Sequence, residues 1–162
     1  MKQKGALAEN IRSELGESWI PSIYRDKIRA QRTRAFHLDI QARENKPEIL
    51  YTLLGVELKV GNRRFACPDL ATARYLQVFA RIGCGDFAVP YDITRISVIA
   101  DELETSWHQM LLLFGQETRG QAASAVGRYR SALVRSLREE IDAIGPGEAM
   151  PAFDRPTRQR TG

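Results

Sequence analysis

Lysine, cysteine and histidine are all scarce in this chain, and each shortage removes a class of function. The two cysteines, Cys67 and Cys84, do not form a metal-ligand spacing. The two histidines, His37 and His108, have no partner at ligand or triad spacing. No G-x-S-x-G, phosphate-binding glycine loop or H-E-x-x-H occurs, so the common nucleophile, nucleotide and zinc-protease patterns are absent and no cofactor is expected. No apolar run is long enough to span a membrane; the clearest, Met110 to Phe114, suits the buried end of a helix. The start of the chain is polar and carries no apolar core of signal-peptide length, so a cytoplasmic protein with reduced thiols is expected. Lysine supplies only five of the 24 basic residues: Lys2, Lys4, Lys27, Lys46 and Lys59. The rest are arginines, which read either as codon preference or as forked donors for phosphate.

What is present is the composition of a globular domain. With 162 residues and 43% hydrophobic content, the chain can bury a single core. The expected organisation is one α/β domain over residues 1–147 and a mobile basic tail over 148–162, with Arg155, Arg158 and Arg160. A net charge of +4 makes an anionic partner possible without requiring one.

Apolar spacing by four at Leu7, Ile11 and Leu15 predicts a short amphipathic helix ended by Gly16. Ser18-Trp19-Ile20-Pro21 reads as a break, after which Ser22 can cap a helix reaching Ala30 or Arg34. Alternation over Ala35–Ile40 predicts a strand. Between Pro47 and Gly55 the punctuation predicts a helix, with a strand running from Ile49 into the next element as the rival reading. Asp69 and Gly83 bracket a helix with Leu70, Ala73, Leu76, Phe79, Ala80 and Ile82 facing inward. A strand at 87–90 follows, so strand–helix–strand order predicts a βαβ crossover that lays 87–90 parallel to 63–67. Asp92 caps a long helix and residues 121–144 form another. Those two are expected to pack as an antiparallel pair.

The most legible stretch is VELKVGNRRFACPD, residues 56–69. Gly61-Asn62 signals a two-residue type II′ hairpin turn. That turn sets Val60 opposite Arg63, Lys59 opposite Arg64, Leu58 opposite Phe65 and Val56 opposite Cys67. Val56, Leu58, Val60, Phe65 and Cys67 then share one face; Glu57, Lys59, Arg64 and Ala66 share the other. A slip by one residue would bury the charges, so the register is strongly specified.

Glu57-Leu58-Lys59 is also the E-x-K spelling of the metal-dependent nuclease family usually called PD-(D/E)xK, which it resembles. That resemblance implies Asp39 and Glu57 as metal ligands and Lys59 as the residue that positions the attacking water. The chain departs from the family's order, because strand 63–67 intervenes before the helix and a predicted helix separates Asp39 from Glu57. The competing reading makes E-x-K the wet face of the hairpin.

Basic residues cluster at Arg25, Lys27, Arg29, Arg32 and Arg34, around the hairpin at Lys59, Arg63 and Arg64, and along the last helix at Arg128, Arg130, Arg135 and Arg138. Phosphate neutralisation needs such residues, so DNA or RNA is a candidate partner, with Arg128 and Arg135 the expected contacts on the last helix. Helical glutamates and the lack of an aromatic stacking signature favour a plain solvated face for any single cluster. A protein partner docking on a sheet edge or on the C-terminal helices is the other candidate. CPDLATARYLQVFARIGCG, followed by AVPYDITRIS, resembles a small uncharacterised family associated with cyanobacteria, over roughly residues 49–110. The resemblance implies a soluble cytoplasmic protein and brings no activity. The sequence therefore points to a non-catalytic binding protein, with a nuclease built on Asp39, Glu57 and Lys59 as the enzymatic alternative.

Overall fold

The computed structural model describes residues 2–147; the basic tail expected at 148–162 lies outside the described residues. Helix α1 (Lys2–Leu15) turns at Gly16–Ser18 into α2 (Ile20–Ile23), which widens into a π-helical stretch over Tyr24–Ile28. Strands β1 (Thr33–His37), β2 (Glu48–Thr52), β3 (Gly55–Val60) and β4 (Arg63–Cys67) precede α3 (Leu70–Ile82). Strand β5 (Asp86–Pro90), α4 (Ile93–Glu117) and α5 (Ala123–Ile144) complete the order. The fold is mixed α/β, with two small antiparallel sheets: β1 with β5, and β2, β3, β4 side by side.

The helices start and stop where the side chains dictate. Asp69 accepts the N–H of Thr72 at 2.8 Å at the start of α3, and Asp92 accepts that of Thr94 at 3.0 Å at the start of α4. Gly83 closes α3 in the left-handed region, with φ at 92°. The N-terminal helix pair differs from the expectation. Pro21 lies in the first turn of α2 instead of in a break, because the first turn is where a missing N–H costs nothing.

The β3–β4 hairpin has the register that Gly61-Asn62 dictates, pairing Val60 with Arg63 and Val56 with Cys67. Gly61 supplies the positive φ, at 62°. The helix expected over 47–54 is instead strand β2, the rival reading. Pro47 precedes the ladder and removes no donor from it, while Ile49, Leu50, Tyr51 and Thr52 pair across β3. Strand β1 is displaced as well, covering 33–37, so Asp39 lies beyond its end.

The βαβ crossover is not formed. Strand β5 pairs antiparallel with β1, not parallel with β4. The reason is at the other edge of β5. Ala88 faces Ala35 in a pair whose N–H and C=O groups point away from β1. There the Tyr24 hydroxyl accepts the Ala88 N–H at 2.9 Å, and the Tyr75 hydroxyl donates to the Ala88 carbonyl at 2.6 Å. Pro90 offers that edge no N–H. Two tyrosine hydroxyls stand where a neighbouring strand would.

Tyr24, Tyr75, Phe79 and Phe87 form the aromatic centre of the core, with Phe79 stacked on Phe87 at 4.4 Å. The buried side chains run as one cluster from Leu7 to Ile141. Helix α4 buries Ile96, Ile99, Leu103, Trp107, Met110 and Phe114 and α5 buries Leu133, Leu137 and Ile141, but the two do not pack along each other as the expected antiparallel pair. Helices α1 and α3 each pack against both. Leu70, expected to face inward, is exposed at the start of α3.

Candidate nucleic-acid interface

Glu57 and Lys59 sit on the outer face of the three-stranded sheet. Lys59 lies between Glu48 and Arg64, and Glu57 between Leu50 and Ala66. Glu57 pairs with the Arg64 guanidinium at 3.4 Å. Asp39 is held elsewhere, 2.8 Å from Arg63. Val60 and Arg63 share the face of buried Leu58, the face opposite Glu57 and Lys59. The structure therefore places Asp39 and Glu57 against different arginines on different sides of the sheet, and β1 belongs to another sheet. Among the described residues no group of three or more His, Cys, Asp or Glu is placed to hold a metal ion.

Several of the basic residues singled out in the sequence are neutralised within the chain. Arg25 bonds Asp26 at 2.8 Å, Lys27 pairs with Glu102, Arg63 with Asp39 and Arg64 with Glu57. Arg32 stacks its guanidinium over the Tyr91 ring at 4.8 Å. Arg29 is half-buried and turned inward, where Gly147 packs so closely that a Cβ there would lie 2.0 Å from its Nη1. Lys59 is half-buried in the outer face. Arg34, Arg128 and Arg135 are exposed, and among the described residues none of the three makes an ion pair.

Arg135 is not isolated. It lines a small cleft together with Arg43, Glu44, Ser131 and Arg138, between the segment after β1 and helix α5. The walls are fixed by backbone bonds. Asn45 donates its N–H to the Arg81 carbonyl at 3.2 Å and its side-chain amide to Ala80 at 3.0 Å and Arg43 at 2.7 Å. Gly83 lies against the Arg43 backbone, and a Cβ there would fall 2.2 Å from the Arg43 carbonyl oxygen. Arg138 donates to the Ile82 carbonyl at 2.8 Å, where a cation complements the end of α3. Glu44 is occupied by Arg130, at 2.7 Å.

Arg43 and Arg135 thus converge from two elements on one cleft, and the acid beside them is already engaged. Burial pushes the Asp142 carboxyl up, one turn beyond Arg138, while Arg138 pulls it down. The cleft volume is about 230 Å³, below the usual 300–1,000 Å³ of small-molecule sites and open enough for a phosphate group. Arg43 also borders the neighbouring groove with Asp39, Asn62 and Arg63 at the hairpin tip. Along α5, Arg128 and Arg135 lie two turns apart, roughly 10 Å.

Arg43 was the residue missed in the sequence. It sits in a segment with no periodicity, and the only local signal is Asn45, a side chain suited to bonding nearby backbone. The remaining candidates carry no site. His37 pairs through Nδ1 with exposed Asp86 at 2.9 Å, its register partner on β5. His108 is exposed on α4. Cys84, in its Gly-Cys-Gly loop, is fully buried, and burial pushes its thiol up to about 12. Burial also raises the Cys67 thiol. Both are held protonated, the opposite of an activated nucleophile.

No described helix is long and apolar enough to cross a membrane. Comparison of the chain with protein-family models, with curated proteins and with solved structures gives no match.

Proposed function

We propose that this chain is a non-catalytic, cytoplasmic binding protein that engages the phosphate backbone of a nucleic acid. Arg43 and Arg135 make the central contact, and Arg128 extends it along α5. The observation that carries this reading is the convergence of Arg43 and Arg135 on one cleft with no carboxylate partner among the described residues. Arg25, Lys27, Arg63, Arg64 and Arg130 face acids of the same chain, which cancels much of their attraction for a polyanion. A guanidinium presents a planar fork that suits phosphate oxygens, and the anchored Arg43 backbone spares part of the ordering cost on binding.

Fluorescence anisotropy with labelled single-stranded and duplex oligonucleotides tests this directly. Binding at low salt that weakens linearly on a log–log salt plot is expected; absence of binding to every form at low salt ends the proposal. A protein partner is the second reading, favoured by the exposure of Tyr51, Leu53 and Leu54 at one end of the three-stranded sheet. It requires a stoichiometric complex that survives nuclease treatment.

A further inference from the structure

Strand β2 is an open edge of the three-stranded sheet. Its partner β3 takes the backbone groups of Glu48, Leu50 and Thr52, because Thr52 and Gly55 close a two-residue turn and bonded pairs alternate from there. The N–H and C=O groups of Ile49 and Tyr51 point outward. They have no hydrogen-bond partner among the described residues. The open edge is bounded on both sides. At one end Pro47 has no N–H and its carbonyl accepts from Gln77 at 3.1 Å; at the other the chain turns at Leu53-Leu54. Two donors and two acceptors are thus left on a strand spelled EILYT, next to Tyr51, Leu53 and Leu54, all exposed. A bare edge with β-forming side chains is a template for another strand.

We propose that a second copy of this chain occupies the edge, β2 against β2 in antiparallel fashion about a two-fold axis through Leu50. This goes beyond the nucleic-acid reading and does not depend on it. The strand complements itself. With Leu50 across from Leu50 of the second copy, Ile49 of each chain meets Tyr51 of the other, and all four outward groups per strand are satisfied. Moving the axis to Ile49 brings Tyr51 against Pro47, which has no N–H to give. The Leu50 register also sets Glu48 across from Thr52, so no like charges oppose. It lays Leu53 alongside Pro47 of the second copy, covering part of the apolar tip. The result is a continuous six-stranded sheet with isologous symmetry, the commonest form of association.

The other open edges are protected. Strand β4 carries Arg63 and Arg64, and pairing two copies there would line up four guanidinium groups. Strand β1 carries exposed Arg34 and His37. Among the open edges of the described strands, only β2 combines an apolar edge with the absence of basic residues.

Leu50→Lys is the discriminating variant. Within one chain the new ammonium faces Glu57, its cross-strand partner, so the monomer is not disfavoured. In the dimer two ammonium groups meet on the axis. Sedimentation equilibrium of the full chain should give twice the 18.3 kDa chain mass for the wild type and the single mass for Leu50→Lys. An equimolar mixture of Leu50→Lys and Leu50→Glu should recover the double mass. Leu50→Cys should form an intermolecular disulfide on mild oxidation, since Cα atoms in such a non-bonded antiparallel pair lie about 4.5 Å apart. A wild type that sediments as a single chain at high concentration overturns the proposal. So does a Leu50→Lys variant, folded by circular dichroism, that keeps the double mass.

Discussion

Tyr24 accepts the backbone N–H of Ala88 at 2.9 Å through its hydroxyl, which also donates to the carbonyl of Gly145 at 2.7 Å. One phenol thereby ties the second helical segment, strand β5 and the end of α5 together. It also closes the edge of β5 that a parallel strand would have needed.

Tyr24→Phe leaves that N–H buried without a partner. A loss of about 1–3 kcal/mol in stability is expected from such an unsatisfied group. Urea unfolding followed by tryptophan fluorescence measures it, because Trp19 is buried and Trp107 nearly so. A loss of a few tenths or less would mean that water replaces the hydroxyl.

The same phenol sets an alkaline limit. Burial pushes the Tyr24 hydroxyl up from 10 to about 12, and Tyr75 is raised as well. The unfolded chain releases these protons first as pH rises, so it binds fewer protons than the folded one. Their contribution is fully present below pH 10 and is lost as pH climbs through the folded values. Unfolding free energies measured between pH 9 and 12 should fall, and Tyr24→Phe should flatten part of that fall.

Gly83→Ala combines two penalties. The backbone is left-handed, with φ at 92°, and the new methyl would strike the Arg43 carbonyl. A destabilisation of more than about 2 kcal/mol is expected. Displacing Arg43 should also weaken oligonucleotide binding more than a stability-matched change such as Leu7→Ala. Equal binding by the two variants would contradict the role given to the segment after β1.

Magnesium and manganese should leave the melting temperature unchanged at millimolar concentrations. Asp39 and Glu57 lie on opposite faces and each is engaged by an arginine. A preformed cation site stabilises the folded state by mass action, so a rise of several degrees that Glu57→Gln abolishes would revive the nuclease reading.

Much of the architecture was legible because its causes are local. Gly61-Asn62 dictates a turn, the turn dictates a register, and Asp69, Gly83 and Asp92 mark helix ends by their own side-chain chemistry. The helix faces of α4 and α5 follow from period. What was not legible depended on distant partners. Ile49 to Leu54 is a short apolar run compatible with either structure until β3 supplies its ladder. The partner of β5 is β1, far away in sequence, and the choice rests on two tyrosine hydroxyls whose placement no local pattern announces. The candidate site shows the same division. Arg128 and Arg135 stand out on a periodic helix, whereas Arg43 becomes significant only once Asn45 and Gly83 pin its segment beside α5. E-x-K misled for the converse reason: adjacency in sequence places Glu57 and Lys59 together, but says nothing about where Asp39 goes.

The central claim is that Arg43 and Arg135 contact phosphate. Its most direct test is the salt dependence of oligonucleotide affinity for the wild type and for the Arg43→Ala/Arg135→Ala double variant, with Arg25→Ala/Lys27→Ala as the control pair of equal charge change. Each lost phosphate contact lowers the log–log slope by about 0.7 to 0.9. The double variant should therefore lose about 1.4 to 1.8 in slope magnitude, while the control keeps the wild-type slope. Identical slopes for the wild type and the cleft variant, or an equal loss in the control, would contradict the account.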